Sequence, residues 1–499
     1  MRESSPAARS LNFRRPATGG TTMAQVTDDE LYLPAHEQLA RMRAGAFGPR
    51  ALTEAYLARI EAINPTVRGV VATIADRTLA EADLAEAALR DGDPALLLGL
   101  PVGLKDIIDT AAMPTTYGSV AFQDHRPDRD APVVRRLKEA GALVFAKTNT
   151  FEFALSMPSP LHRDAKNPWN RGRVAGGSSN GSATAVGAAL CSLTLGTDTS
   201  GSIRNPSAYC GIVGLKTTHG RVSTEGVGVL ASSMDTVGPM TRSVVDAALA
   251  LQAIAGFEPS DMQSADVAVG DYLGQLHAGV AGLRIGVPIN FFPDRTAPYA
   301  KAAWEYARDL LRASGAELVS VELPSLEDTR TVWSGLTAPE SSAWHEASLT
   351  ARPDDYGPVP RAFFSSMRGS SGVDYVRARQ RRHSYRRALL DAMAGLDAMI
   401  TPTMPTTAFS FDEAKAQSVD ASVAALDVAF ATVGFTQPFN VSGQPALTVP
   451  VAVHSDGLPL SVQVVGQPFG EAAILRIGRA IETLVGFDYR PPSFRAGAA

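Results

Sequence analysis

Hydrophobic residues recur at helical spacing through most of residues 27–90. The segments LYLPAHEQLARMRAG, PRALTEAYLARIEAI and TLAEADLAEAALRDG all show this spacing. Apolar positions three or four residues apart form one face of a helix, and a proline tends to end it. The pattern therefore predicts helices throughout this region, and the second of them is expected to stop at Asn64-Pro65.

After residue 90 the pattern changes to short runs of Leu, Val and Ile bounded by Gly or Asp. LLLGLPVGLKDIID and ALVFAKTNT enclose a helical segment, DAPVVRRLKEAG. Five further runs follow later in the chain: LRIGVP, ELVSVELP, AMITPTMP, ALTVPVAV and LSVQVVGQP. Apolar runs that alternate with helices are typical of an α/β protein with a buried sheet.

The chain shows no fixed-period repeat and no low-complexity linker, so one large α/β unit is predicted over residues 27–490. Within it, residues 258–436 have fewer glycine-rich motifs and are expected to be a variable elaboration on the core. Residues 1–26 lack the apolar run of a secretory signal and are predicted to be a disordered extension, with residues 491–499 as a tail.

Composition narrows the classes of function. The 499 residues include 46 Lys and Arg against 51 Asp and Glu. The resulting net charge of −5 gives no electrostatic attraction to nucleic acid or an anionic membrane. Two cysteines cannot form a disulfide framework, which favours the cytoplasm. The uncharged stretch 174–197 begins with small polar residues, so no transmembrane helix is expected. The eight histidines are scattered, and neither a metal nor a cofactor is predicted.

Two glycine–serine segments are the most unusual feature, AGGSSNGSATAV from Ala175 and LTLGTDTSGSIRNP from Leu193. Glycine-rich turns at helix starts expose backbone N–H groups that bind anions or developing oxyanions. A Walker phosphate loop would need a lysine after its second glycine, which neither segment has. Ser179 satisfies G-x-S-x-G, but the nucleophile elbow needs an apolar strand before it, and NPWNRGRVAG is polar.

Together with Lys105, these loops resemble the amidase signature family of serine hydrolases. The motifs that carry the resemblance follow one another along the chain: GLPVGLKDIIDTAAMPTTYGS, AGALVFAKTNTFEF, NPWNRGRVAGGSSNGSATAVGAAL, LGTDTSGSIRNPSAYCGIVGLKTTHGRVS, SSMDTVGPMTRSVVDAAL and PFNVSGQPALTVPVAVHSDGLPLSVQVVGQPFGEAAILRIGRAIE. The resemblance implies the amidase signature fold, a single α/β/α unit with a central mixed sheet flanked by helices.

The resemblance also implies roles for individual residues. Lys105 would be the base, Ser178 a bridging serine joined to Gly177 by a cis peptide bond, and Ser202 the nucleophile that forms an acyl-enzyme. A lysine accepts a proton only when it is neutral, and burial in PVGLKDII would lower its pKa.

Further residues complete the predicted site. The family's oxyanion hole maps onto the backbone N–H groups of Thr199, Ser200, Gly201 and Ser202, and Asp198 and Arg204 are expected to hold the loop in shape. The family's acyl pocket maps onto FEFALSM, where Ala154, Leu155, Ser156 and Met157 are the predicted lining. Lys147, Cys191 and Cys210 are interpreted as structural, and the arginine run at 377–387 as a solvated helix face.

Three departures from the family pattern concern the loops. Asn180 stands where glycine is usual, Thr217 replaces a common proline, and SPLHRDAKNPW lacks the usual glycine before NPW. Asparagine is the residue besides glycine that best tolerates a positive φ, so the first loop is expected to persist. In the family, the segment that contains the third departure borders the substrate pocket. The substrates of the family are therefore not assigned to this chain.

Three hypotheses follow for function. The leading one is a free-standing amidase, either a monomer or a homodimer. It would convert a small apolar or aromatic carboxylic amide to the acid plus ammonia or an amine. The alternative is the glutaminase subunit of a tRNA-dependent amidotransferase, which has the same three catalytic residues and acts with partner chains. A non-catalytic relic is disfavoured because Lys105, Ser178 and Ser202 are all present.

Overall fold

A computed structural model describes residues 25–155, 157, 159–326, 328–366, 369–418 and 433–495. Within these ranges, eleven strands form one sheet. In chain order they are β1 (Val70–Thr73), β2 (Pro101–Lys105), β3 (Leu143–Thr148), β4 (Leu193–Asp198), β5 (Val213–Lys216), β6 (Thr236–Thr241), β7 (Arg284–Pro288), β8 (Glu317–Val321), β9 (Ala398–Pro402), β10 (Ala446–Val453) and β11 (Pro459–Gly466).

The described helices come before, between and after these strands, and several pack against the sheet. They are α1 (Asp28–Tyr32), α2 (Ala35–Arg43), α3 (Pro49–Val67), α4 (Ala75–Arg90), α5 (Pro132–Glu139), α6 (Asn180–Gly187), α7 (Arg204–Cys210), α8 (Val244–Ile254), α9 (Phe292–Arg295), α10 (Pro298–Ala313), α11 (Asp328–Ala351), α12 (Pro358–Ser366), α13 (Gly372–Ala392), α14 (Phe411–Ser418), α15 (Pro438–Val441) and α16 (Glu471–Val485).

The sheet is mixed, in the order β1-β3-β2-β4-β6-β5-β10-β11-β9-β7-β8. β2 runs parallel to both β3 and β4, and β7 runs parallel to both β8 and β9. The other pairs are antiparallel. The predicted α/β class with a central mixed sheet is confirmed. Within the described ranges, no helix is both long and apolar enough to cross a membrane.

Two details of the first ninety residues were predicted wrongly. Helix α3 continues past Pro65 to Val67 and ends where Arg68 adopts a left-handed conformation and its N–H bonds to Asn64 O at 2.6 Å. A proline in the last turn removes only one late hydrogen bond, so the helix can continue past it. The four-residue strand β1 then interrupts the expected run of helices and pairs with the edge of β3.

The predicted elaboration at 258–436 contributes β7, β8 and β9 to the sheet, so it extends the core. Residues 1–24 of the predicted extension lie outside the described residues, and Val26 is buried in the core. In the predicted tail, Phe494 packs beside Tyr32 and under the Arg59 guanidinium, and residues 496–499 lie outside the described residues.

Candidate functional site

Lys105 ends β2, between two parallel strands whose carboxyl ends lie at the same edge of the sheet. Its side chain is fully buried, and Nζ donates to Ser178 Oγ at 2.7 Å and to Thr197 Oγ1 at 2.8 Å. Burial lowers the pKa of Lys105 to about 7, although the nearby carboxylates of Asp235 and Asp198 act in the opposite direction. A large fraction of the lysine is therefore neutral at neutral pH.

Ser178 lies in the tight turn that leads into α6. The peptide bond between Gly177 and Ser178 is cis. Glycine is required on both sides of the serine pair: a Cβ on Gly177 would lie 2.2 Å from the Phe151 ring, and one on Gly181 would lie 2.1 Å from Asn149 N. The turn is thus packed tightly enough to hold the Ser178 hydroxyl against Lys105.

Ser179 is held by the backbone of β4. Its Oγ donates to Thr197 O and accepts from Thr197 N, both at 3.2 Å, and the side chain is fully buried. No strand precedes it in the described stretch 159–179, so the strand–turn–helix of a nucleophile elbow is absent there. This serine therefore joins the first loop to the sheet and is a poor candidate for a nucleophile.

Ser202 lies in the loop between β4 and α7. The loop is tied to the first one because Ser179 N donates to Ser202 O at 3.2 Å. The Ser202 side chain retains 8% exposure, and its Oγ makes no hydrogen bond to any described residue, Ser178 included. A hydroxyl without a hydrogen bond to the described part of the chain, in a loop tied to the one that carries Ser178, is a suitable arrangement for a nucleophile.

The backbone donors of this loop differ from the prediction at one position. The Gly201 N–H donates to Asp198 Oδ1 at 2.7 Å, so it is not available to an oxyanion and the four-group prediction is corrected. The N–H groups of Thr199, Ser200 and Ser202 have no acceptor among the described residues. Three donors therefore remain.

Asp198 and Arg204 form a fully buried ion pair, with Nε to Oδ2 at 2.9 Å and Nη2 to Oδ1 at 3.0 Å. Arg204 also donates to Thr436 O, Gln463 Oε1 and Asn440 Oδ1. Although burial alone would raise the pKa of Asp198, the Arg204 guanidinium holds it well below its usual range. The charged pair therefore persists and fixes the loop.

Replacing Arg204 with leucine should destabilise the protein by about 3–5 kcal/mol, because the Asp198 carboxylate would be left buried without its cation. Chemical denaturation of both proteins measures this difference in the free energy of unfolding. The control is Arg387→Leu, which removes an exposed pair with Asp391 and should change stability little. A loss for Arg204→Leu no larger than that of the control would contradict the prediction.

The predicted pocket residues are only partly described. Ala154 is buried, and Leu155 packs against the main core. Met157 packs against a second apolar cluster around Trp169, while Ser156 lies outside the described residues. The adjacent Phe153 stacks on Tyr356 at 4.9 Å between ring centroids. The described residues of the segment pack among apolar side chains, and the role of the segment as an acyl pocket stays a prediction.

Two polar residues at the site were not assigned from the sequence. Thr197 accepts a hydrogen bond from Lys105, and Asp235 accepts from the hydroxyl of Thr199 and from the N–H groups of Leu230 and Ala231. Burial raises the pKa of Asp235 to about 7. Thr197 and Asp235 lie in the motifs TDTSGS and SSMDTVGP, but only folding brings them close to Lys105.

Other titratable groups are occupied elsewhere. Lys147 Nζ donates to Ile108 O and Thr115 Oγ1, both at 2.7 Å, and pairs with Asp106 at 3.2 Å. Cys191 and Cys210 are buried free thiols. Among the described residues, no group of three or more His, Cys, Asp and Glu side chains could hold a metal ion.

Comparison with known sequences finds one matching family model and a set of similar proteins with one shared name. A family model described as Amidase matches residues 51–475. The A subunit of glutamyl-tRNA(Gln) amidotransferase from Roseiflexus castenholzii is 37% identical over an alignment of 491 residues, and the match covers 92% of this chain and 97% of that protein. Seven further relatives with the same name are 36–38% identical.

Solved structures also match. The native peptide amidase of Stenotrophomonas maltophilia is 32% identical, with a TM-score of 0.80 and coverage of 93% of this chain and 99% of that one. The A subunit of the Thermotoga maritima glutamyl-tRNA(Gln) amidotransferase is 30% identical, with a TM-score of 0.73 and coverage of 91% and 95%.

Proposed function

Because this chain belongs to the amidase family, we propose that it hydrolyses the C–N bond of a carboxamide through an ester on Ser202, with Lys105 as the base and Ser178 as the proton relay. The observation that carries the proposal is the 2.7 Å hydrogen bond from a fully buried lysine, with its pKa lowered to about 7, to Ser178. Burial favours the neutral amine that a base requires.

Each step uses a group in the described site. Ser202 Oγ attacks the carbonyl carbon, its proton passes to Ser178 Oγ, and the Ser178 proton passes to Lys105 Nζ. The N–H groups of Thr199, Ser200 and Ser202 would stabilise the oxyanion. When the C–N bond breaks, the relay runs in reverse and protonates the leaving amine. Water then hydrolyses the ester by the same route, releasing the acid and restoring Ser202.

The names of the relatives favour the alternative over the leading hypothesis about the substrate. Eight relatives at 36–38% identity are named as the A subunit of glutamyl-tRNA(Gln) amidotransferase. We therefore place first an amidotransferase role, in which the side-chain amide of glutamine is hydrolysed within an assembly containing partner chains. The proposed compartment is the cytoplasm, where free thiols such as Cys191 and Cys210 persist.

A free-standing amidase, as a monomer or homodimer, is the second candidate. Two observations favour it: the apolar surroundings of residues 153–155 and 157, and the match to a peptide amidase with a TM-score of 0.80. An apolar pocket would suit an aryl or aliphatic acyl group better than the charged end of glutamine. Nucleic acid and membrane are not proposed as direct partners, since the net charge of −5 gives the chain no overall electrostatic attraction to either of them.

The experiment that separates the candidates measures ammonia released from glutamine, phenylacetamide, an aliphatic amide and an α-amino amide. Each is assayed with the isolated chain, and again with candidate partner subunits and tRNA. Ammonia release from at least one carboxamide that Ser202→Ala abolishes is the expected result. Glutamine turnover that depends on partners supports the amidotransferase role, and turnover of phenylacetamide by the isolated chain supports the free-standing enzyme. Release that persists in Ser202→Ala would contradict the mechanism.

A further inference from the structure

Asn205 presents an unpaired acceptor beside the proposed nucleophile. The side chain lies in the first turn of α7 and is 7% exposed. Its Oδ1 is buried and has no hydrogen-bond partner among the described residues. Because a buried carbonyl without a partner is costly, its retention next to a reactive loop points to a partner that arrives with the substrate.

The Asn205 side-chain amide packs closely against Gly201. A Cβ on Gly201 would lie 2.2 Å from Thr436 Oγ1, 2.6 Å from Asn205 Oδ1 and 2.8 Å from its Nδ2, so the Asn205 amide and the Thr436 hydroxyl both pack against the loop that carries Ser202. The Asn205 N–H donates to Gly201 O at 2.7 Å, which fixes the turn beneath the side chain. The unpaired Oδ1 therefore lies against Gly201, whose chain neighbours Ser200 and Ser202 carry two of the N–H groups proposed for the oxyanion.

A second unpaired group on α7 provides a contrast. Ser207 Oγ is also buried without a partner among the described residues, but it faces β5, where a Cβ on Gly214 would lie 2.2 Å from it. Asn205 alone of these two lies against the nucleophile loop. The location of Asn205 distinguishes it from an ordinary packing defect.

We propose that Asn205 is a substrate-binding residue whose side-chain carbonyl accepts a hydrogen bond from the N–H of the scissile amide. This rests on the proposed function. Three backbone donors next to one carbonyl acceptor are complementary to a carboxamide, which offers one C=O and at least one N–H. An ester offers the same C=O but no N–H, so this contact would select amides over esters with the same acyl group.

The test compares an amide with the ester of the same acid: glutamine with glutamate γ-methyl ester, or phenylacetamide with methyl phenylacetate, whichever pair the wild type hydrolyses. Asn205→Leu keeps the approximate size and removes the acceptor, and we expect kcat/KM for the amide to fall about tenfold, the effect of one hydrogen bond. The ester should change less than about twofold. The deacylation rate should be unchanged, because the amine has left by then.

Two variants serve as controls. Asn205→Asp keeps an acceptor and should recover part of the amide activity, and Ser207→Ala alters the same helix and should leave the amide-to-ester ratio unchanged. Equal losses for amide and ester in Asn205→Leu, or no loss for either, would overturn the inference while leaving the function intact. No Ser202-dependent hydrolysis of either substrate by the wild type would overturn the proposed function and this inference with it.

Discussion

The Ser202→Ala variant is expected to lose amide hydrolysis by about 10⁴-fold or more in kcat. The nucleophile and its base act as a unit, so removing the nucleophile leaves only the binding and oxyanion contributions. The variant should fold normally, because Ser202 Oγ makes no hydrogen bond to a described residue and the side chain is small. Steady-state assays of purified protein and a thermal unfolding curve measure both effects.

The matched control is Ser179→Ala, which removes a neighbouring hydroxyl that is bonded to the β4 backbone. It should cost some stability and less than about tenfold in kcat. Ser178→Ala should lower kcat severely, because it removes the hydroxyl bonded to Lys105 and so interrupts the proposed proton path from Ser202. If Ser179→Ala were as inactive as Ser202→Ala, the nucleophile-elbow interpretation would return.

Lys105 is expected to give the second large effect, visible both in a variant and in the pH profile. Lys105→Met should lower kcat by several orders of magnitude, because no other base is hydrogen-bonded to Ser178 among the described residues. In the wild type the protonated lysine cannot accept a proton. Since its pKa is lowered to about 7, kcat/KM should fall about tenfold per pH unit below that value and level off above it.

The Thr197→Val variant provides a control on the origin of that profile. Thr197 Oγ1 accepts a hydrogen bond from Lys105 Nζ at 2.8 Å and so stabilises the charged form. Without it the midpoint of the profile should move to lower pH. A wild-type profile that peaks near pH 5, or a midpoint that moves to higher pH in Thr197→Val, would argue against Lys105 as the base.

The sequence predicted the seven strands that lie in long apolar runs and missed β1, β4, β5 and β6. β1 and β5 contain Val or Leu but are only four residues long. β7 to β11 coincide with the five later apolar runs, whereas β4 and β6 contain Gly, Thr and Pro at buried positions. β1 also follows directly from a helix. Short or glycine-rich strands are specified by the neighbours they pair with, so their local pattern is weak.

The site shows the same division. The resemblance to the amidase signature motifs assigned roles to Lys105, Ser178 and Ser202, and the structure brings Lys105 and Ser178 into contact. The motifs did not reveal that Gly201 N–H is already bonded to Asp198, or that Asp235 reaches the site from a distant segment. Such facts depend on three-dimensional contacts that leave no spacing in the sequence.

The hydrogen bonds of Arg204 also bear on how the protein is made. Its guanidinium reaches Thr436, Asn440 and Gln463, which lie 232, 236 and 259 residues further along the chain. During synthesis the loop that bears Ser202 leaves the ribosome long before these partners exist. The buried carboxylate of Asp198 gains its full set of donors only when the last third of the chain has been translated. In a chain that ends before β11, Arg204 would lack its contact with Gln463, so we expect the Ser202 loop to be held less firmly until synthesis is nearly complete.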